Sequence, residues 1–145
     1  RVGYNYRMSG FQAAVLRVKL GHVAGWNARR QEIARAYLAG LTGLEDLTLP
    51  VQARNREHVW HQFVVRHPRR DEIREALSAA GVGTGLHYPR AVHQQPAYAD
   101  LAQDAGCLPV AEAAAGEVFS LPMFPELTDS EVEFVVKAVR DVLTH

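Results

Sequence analysis

The side chains able to do chemistry gather in three places. Asn5 and Arg7 stand just ahead of Ser9, where a helical pattern begins. The unpaired amides and positive end of a helix N-terminus suit a phosphate, and an amide and a guanidinium both donate to phosphate oxygens. For Arg7, a structural ion pair or a clamp on a loop carbonyl is an equal alternative. The second place is His87-Tyr88-Pro89, which leaves a strand-like run for a long irregular loop. Such loops present side chains to substrates. An imidazole there can donate or accept near neutral pH, and a phenol can bond a sugar hydroxyl. The plain alternative is a His–Pro turn with a buried tyrosine. The third place is His58 with His61, in a chain holding seven histidines. Three apart on a strand, they face opposite sides and cannot grip one ion. No Cys or carboxylate completes a zinc set at that spacing, so no metal site is expected.

Other reactive types read as structural. Ser120 lacks a G-x-S-x-G context and fits a strand. Cys107, beside Leu108 and Pro109, reads as a packing residue. Lys19 and Lys137 read as solvated helix lysines. His93, Gln94 and Gln95 either wall a substrate entrance or are simply solvated. Neither G-x-G-x-x-G nor a P-loop occurs, so a nucleotide-binding fold has no support.

The elements that must position these groups follow from periodicity. From Ser9, a plausible N-cap, apolar residues Phe11, Val15, Val18, Trp26, Ile33, Tyr37 and Leu41 recur at helical spacing. Together they predict one helix of roughly 45–50 Å, interrupted by Gly21 and Gly25 and stopped at Gly43 and Pro50. Its length makes it a strut between two units. Leu44–Pro50 predicts a short edge strand. His58–Arg66 (HVWHQFVVR) is the best strand pattern, with Val59, His61, Phe63 and Val65 on one face. Asp71–Ala80 predicts a helix ended by Gly81, Val82–Tyr88 a second strand, and Pro109–Gly116 a short Ala-rich helix. Val118–Pro122 predicts a third strand. Thr128 with Glu131 is a capping-box pair that opens a last helix with a Val132, Val135, Val136, Val139 and Leu143 stripe. A Glu133–Lys137 pair is expected on its far side. This order predicts an α+β fold, a small and mostly antiparallel sheet with helices on one face.

Composition narrows the classes. With 145 residues, 48% of them hydrophobic, the chain can bury a real core. Sixteen basic and sixteen acidic side chains cancel, which favours neither nucleic acid nor an anionic membrane as partner. A single cysteine excludes an internal disulfide and fits a reducing compartment. No run of about 18 apolar residues occurs, so no membrane span is expected.

The ordered motifs GYNYRMSGFQAAVLRVKL, W-N-x-R-R, HVWHQFVVR, GVGTGLHYP, QQPAY and LPVAEAAAGEVFSLPMFPELTD carry a family likeness. The chain resembles the C-terminal part of the DegT/DnrJ/StrS sugar aminotransferases, pyridoxal-phosphate (PLP) enzymes of the aspartate aminotransferase superfamily, fold type I. The likeness covers essentially the whole chain. The family pattern G-Y-N-x-R-[ML]-[DS]-x-x-Q-A-A is met with Gly10-Phe11 in place of the commoner acidic–apolar pair.

The resemblance implies a cofactor-phosphate loop and long interdomain helix over 1–43, then a small C-terminal α+β domain over 44–145. It implies a cytoplasmic homodimer with a shared active site, in which Asn5 reaches the cofactor phosphate of the other subunit, with Arg7 beside it. His87 and Tyr88 are placed near the substrate. The implied reaction moves an amino group from an amino acid, Glu or Gln, to a keto sugar, either a nucleotide-linked hexose or a keto-cyclitol. A sugar dehydratase or deoxygenase of the same family is the nearest rival, and a non-catalytic dimerising interaction domain is a rival of another class. The Schiff-base lysine of such enzymes lies upstream of the GYNYR motif, and neither Lys19 nor Lys137 sits in a comparable segment. No catalytic residue is therefore expected in this chain, which should not transaminate alone. It looks like a fragment or processed product.

Overall fold

The computed structural model describes residues 6–101 and 106–144. Ser9 caps the first helix as expected. The Gln12 amide donates to Ser9 Oγ at 3.2 Å, and the Ser9 amide donates to Gln12 Oε1 at 2.9 Å. The expected single strut is two helices, α1 (Gly10–Leu20) and α2 (Val23–Leu41). Between them the His22 amide donates three residues back, to the Lys19 carbonyl at 3.0 Å. Gly21 and His22 stay right-handed, so the break is a tightened turn rather than a reversal. The His22 ring stacks on Trp26, and Lys19 Nζ lies over the same indole. The two halves of the apolar stripe then part company. No α1 side chain is buried, and Phe11 is 81% exposed. α2 buries Ile33, Ala34, Tyr37 and Leu41.

β1 (Phe63–Arg66) pairs antiparallel with β2 (Val118–Leu121), in the register Phe63↔Leu121, Val64↔Ser120, Val65↔Phe119, Arg66↔Val118. Thr48 bridges to Arg66 on one edge and Gly85 to Ser120 on the other, both antiparallel. The sheet is thus small and antiparallel, as expected, but its outer members shrink to single bridges. Phe63, Val65, Phe119 and Leu121 share one face and are buried. Covering them are α2, α3 (Arg70–Ala79) and α5 (Asp129–Thr144), which add Tyr37, Ile73, Leu77, Val135 and Val139 to one core. Tyr37 meets Phe63 edge-on at 5.1 Å and donates its hydroxyl to the Pro122 carbonyl at 2.9 Å. Burial pushes that phenol's pKa well up.

Three local expectations change. The strand begins at Phe63 rather than His58, because the His58 imidazole accepts the Trp60 amide at 2.8 Å. Trp60 takes φ +49°. The alternation slips there, so Trp60 joins the core beside Phe63 while Val59 stays half-exposed. On α5, Lys137 pairs with Asp141 rather than Glu133. The Thr128–Glu131 capping box forms as expected.

Two outcomes test this packing. A Cβ on Gly40 of α2 would lie 2.6 Å from Val136 Cγ1 of α5. Gly40→Ala should therefore lower stability by about 1–2 kcal/mol despite Ala's better helix propensity. Gly40→Ala with Val136→Ala should recover part of that loss in chemical denaturation. His67 is buried, and its Nδ1 accepts the Arg69 amide at 3.0 Å. Burial, then the Arg69 charge, push its pKa below the ordinary 6.5. The unfolded chain therefore binds the proton first, and stability should fall as pH drops from 7 through 6.5. His67→Asn, which keeps an acceptor, should flatten that slope.

Candidate functional site

The second face of the β1–β2 pair carries Val64, Arg66, Val118 and Ser120. Against it, the segment after Gly85 and α4 (Pro109–Glu117) enclose a cleft of about 660 Å³. Its wall is apolar along Ala91, Ala111, Ala115 and Val118, while His87, Tyr88, Arg90 and His93 bring the polar groups. A mostly apolar wall with a few convergent polar groups is the usual build of a small-molecule site.

His87 and Tyr88 are brought together here, ring centroids 5.8 Å apart. Tyr88 is 71% exposed, which removes the buried-tyrosine alternative. His87 is held from behind by Ser120, whose sequence context predicts only a strand residue. Ser120 is buried, and its Oγ lies 3.1 Å from His87 Nδ1. The bond occupies one ring nitrogen and leaves Nε2 for a ligand. Gly85 fits beneath the ring, since a Cβ there would sit 2.6 Å from His87 Cε1. The Gly85–Ser120 bridge, with both backbone bonds at 3.0 Å or less, ties this support to the sheet. Only the pairing of distant segments creates the contact, so no local pattern signals it.

His93 sits in the wall, in the 3₁₀ turn Val92–Gln94, with Nε2 3.0 Å from Glu112 Oε1. Gln94 accepts the Ala91 amide, and Gln95 reaches the Arg90 carbonyl. Glu112 is a second support, on the first turn of α4. The Gly106 amide, with lesser contributions from His93 and the Leu108 amide, holds its carboxyl below the usual carboxylate range. Its spacing after Gly106 and Leu108 was the available signal, a side chain folding back onto the turn ahead of its own helix.

Arg7 is elsewhere. It lines a separate groove at the start of α1 with Tyr6, Met8 and Phe11, and makes no ion pair among the described residues. Asn5 lies outside the described residues. Of the expected site residues, the structure brings His87 and Tyr88 to the cleft and places Arg7 in the separate groove. Lys19 rests over Trp26 and Lys137 on Asp141, away from the cleft. His58 and His61 form no joint ligand set among the described residues.

A small antiparallel sheet with α2, α3 and α5 over one face and α4 beside the other, behind a long two-part leading helix, defines the α+β domain of a fold type I aminotransferase. The sequence profile of the DegT/DnrJ/EryC1/StrS aminotransferase family matches residues 1–140, and the chain belongs to that family. It is 48% identical over 139 residues to the dTDP-3-amino-3,4,6-trideoxy-alpha-D-glucose transaminase of Streptomyces venezuelae, covering 96% of this chain and 37% of that protein. Against the erythromycin biosynthesis sensory transduction protein EryC1 of Saccharopolyspora erythraea it is 45% identical, covering 95% of this chain and 38% of that protein. The crystal structure of S. venezuelae DesV in complex with a ketimine intermediate superposes with a TM-score of 0.95 at 47% identity, covering 99% of this chain and 38% of that chain. The chain thus spans under two fifths of the length of these relatives.

The His87 anchor is testable without activity. Ser120→Ala should shift the His87 ring resonances in NMR spectra and lower stability by about 1 kcal/mol. Gly85→Ala should displace the same resonances by crowding the ring. His22, far along the chain on α2's approach, should not respond. Unmoved His87 resonances in both variants would rule the anchor out.

Proposed function

We propose that this chain is the C-terminal portion of a PLP-dependent sugar aminotransferase. The parent enzyme moves an amino group from Glu or Gln to a keto sugar, a nucleotide-linked hexose or a keto-cyclitol. The observation that carries this reading is the likeness to DesV, 47% identical with a TM-score of 0.95 over 99% of this chain. Relatives named as transaminases of dTDP-linked amino sugars support the substrate class.

The residues present fit part of a cofactor site. Arg7 is exposed, unengaged by any acid among the described residues, and next to a helix N-terminus. That donor chemistry suits a phosphate. The amine that must hold the cofactor is not met by Lys19 or Lys137, whose ammonium groups rest on Trp26 and Asp141. On this reading, which for Asn5 rests on the family resemblance alone, the chain contributes Asn5 and Arg7 at the cofactor phosphate, and the Schiff-base lysine belongs to the rest of the enzyme. PLP, when bound, supplies the electron sink for the amino transfer. His87, oriented through Nδ1 by Ser120, offers Nε2 to a sugar oxygen, and Tyr88 offers a hydroxyl beside it.

The parent works as a homodimer with a shared active site, in the cytoplasm. Support comes from α1, whose Phe11, Val18 and Leu20 are bare here and need cover from protein. No helix among the described residues is long and apolar enough to cross a membrane.

The full-length enzyme should copurify with a yellow pyridoxal chromophore and transfer an amino group to a dTDP-linked keto hexose. A colourless protein that takes up no PLP would defeat the proposal. His87→Asn should lower kcat/KM for the sugar about tenfold, the worth of one hydrogen bond, while keeping the chromophore. Mixing Asn5→Ala subunits with subunits lacking the Schiff-base lysine should restore part of the activity, because one site per heterodimer is then intact. No recovery after proven subunit exchange would argue against sharing.

A further inference from the structure

Three ligand-type side chains from separate segments meet at the edge of the cleft. His93 comes from the 3₁₀ turn, Cys107 from the loop ahead of α4, and Glu112 from α4 itself. One donor atom from each lies within 4.8 Å of the others. We propose that His93, Cys107 and Glu112 form a binding site for a zinc-class divalent cation on the rim of the cleft. This goes beyond the amino-transfer reading and does not depend on it.

The geometry suits such an ion. Tetrahedral zinc holds nitrogen and oxygen at about 2.0–2.1 Å and thiolate sulfur at about 2.3 Å, so its ligand atoms sit roughly 3.3–3.6 Å apart. His93 Nε2 and Glu112 Oε1 are already 3.0 Å apart, with both side chains largely buried. The ion would take the place of the proton between them. Cys107 then needs only a short approach, and its loop is held for it on both sides. The amides of its neighbours Gly106 and Leu108 donate to the Glu112 carboxylate at 2.8–2.9 Å and 3.2 Å. Such outer hydrogen bonds orient a ligating carboxylate.

Ligand type selects the metal. A nitrogen, a thiolate and one carboxylate oxygen suit zinc and its neighbours, whereas magnesium and calcium ask for oxygen alone. Three protein ligands leave a fourth position for water. Binding displaces the thiol proton and the proton of the His93–Glu112 bond, so affinity should rise with pH. The consequence is mechanical. His93 and Leu108 both line the cleft, and the ion would fasten the 92–94 turn to the start of α4 across its rim. A competing explanation is that Glu112 merely caps the turn ahead of its own helix, a role that needs no sulfur.

The thiol makes the test selective, because Cys107→Ser removes the sulfur of this site and of no other. Metal-free, reduced protein is titrated with Co²⁺ and followed by difference absorbance. The expected result is a thiolate-to-cobalt charge-transfer band that saturates at about one equivalent and is displaced by Zn²⁺. Cys107→Ser, a conservative change at an exposed position, should remove the band and weaken Zn²⁺ binding at least tenfold. His93→Asn should weaken it similarly, with circular dichroism confirming the fold. Cobalt bound without the charge-transfer band marks binding to other histidines and overturns the proposal. So does Zn²⁺ affinity unchanged in Cys107→Ser.

Discussion

The pairing of β1 with β2 in one register governs both sides of this domain. Because successive strand residues point to opposite faces, Phe63, Val65, Phe119 and Leu121 can all enter the helix-covered core only if Val64 faces Ser120. Burying four large apolar side chains stabilises that register by several kcal/mol over a one-residue slip, at about 1.5–3 kcal/mol each. Ser120 is thereby committed to the other face, where it holds His87. The support of the candidate site is thus a by-product of core packing.

The leading helices show how burial separates elements that look alike. α1 and α2 continue one apolar stripe, yet only the second half of α2 reaches the core through Ile33, Ala34, Tyr37 and Leu41. Close approach there depends on Gly40, which leaves room for Val136 of α5. α1 has no such partner among the described residues, and its stripe stays open. That asymmetry accords with a chain spanning 37% of the length of the S. venezuelae transaminase. A helix this apolar is ordinarily covered by protein.

Around the cleft, the two imidazoles are each fixed by a residue outside its lining. Ser120 holds His87, and Glu112 holds His93 while gathering the Gly106 and Leu108 amides. Both supports arise where an element begins or pairs, so the cleft's polar groups rest on the rigid scaffold although the residues themselves sit in loops.

Much of this was legible in the sequence. Periodicity located the Ser9 cap, α3, α4, β2 and α5 with its Thr128–Glu131 capping box, because each depends on residues a few positions apart. The ordered motifs carried the family and pointed to His87 and Tyr88 as a pair. Tertiary structure decided the rest. Trp60 turned inward because its own amide found the His58 ring, a local bond that outcompetes strand alternation. The strand over Val82–Tyr88 became one bridge at Gly85, and the partners of His87 and His93 lie 33 and 19 residues away. Short-range order is written in spacing along the chain, whereas contacts across such gaps exist only once the core has closed and chosen which faces meet.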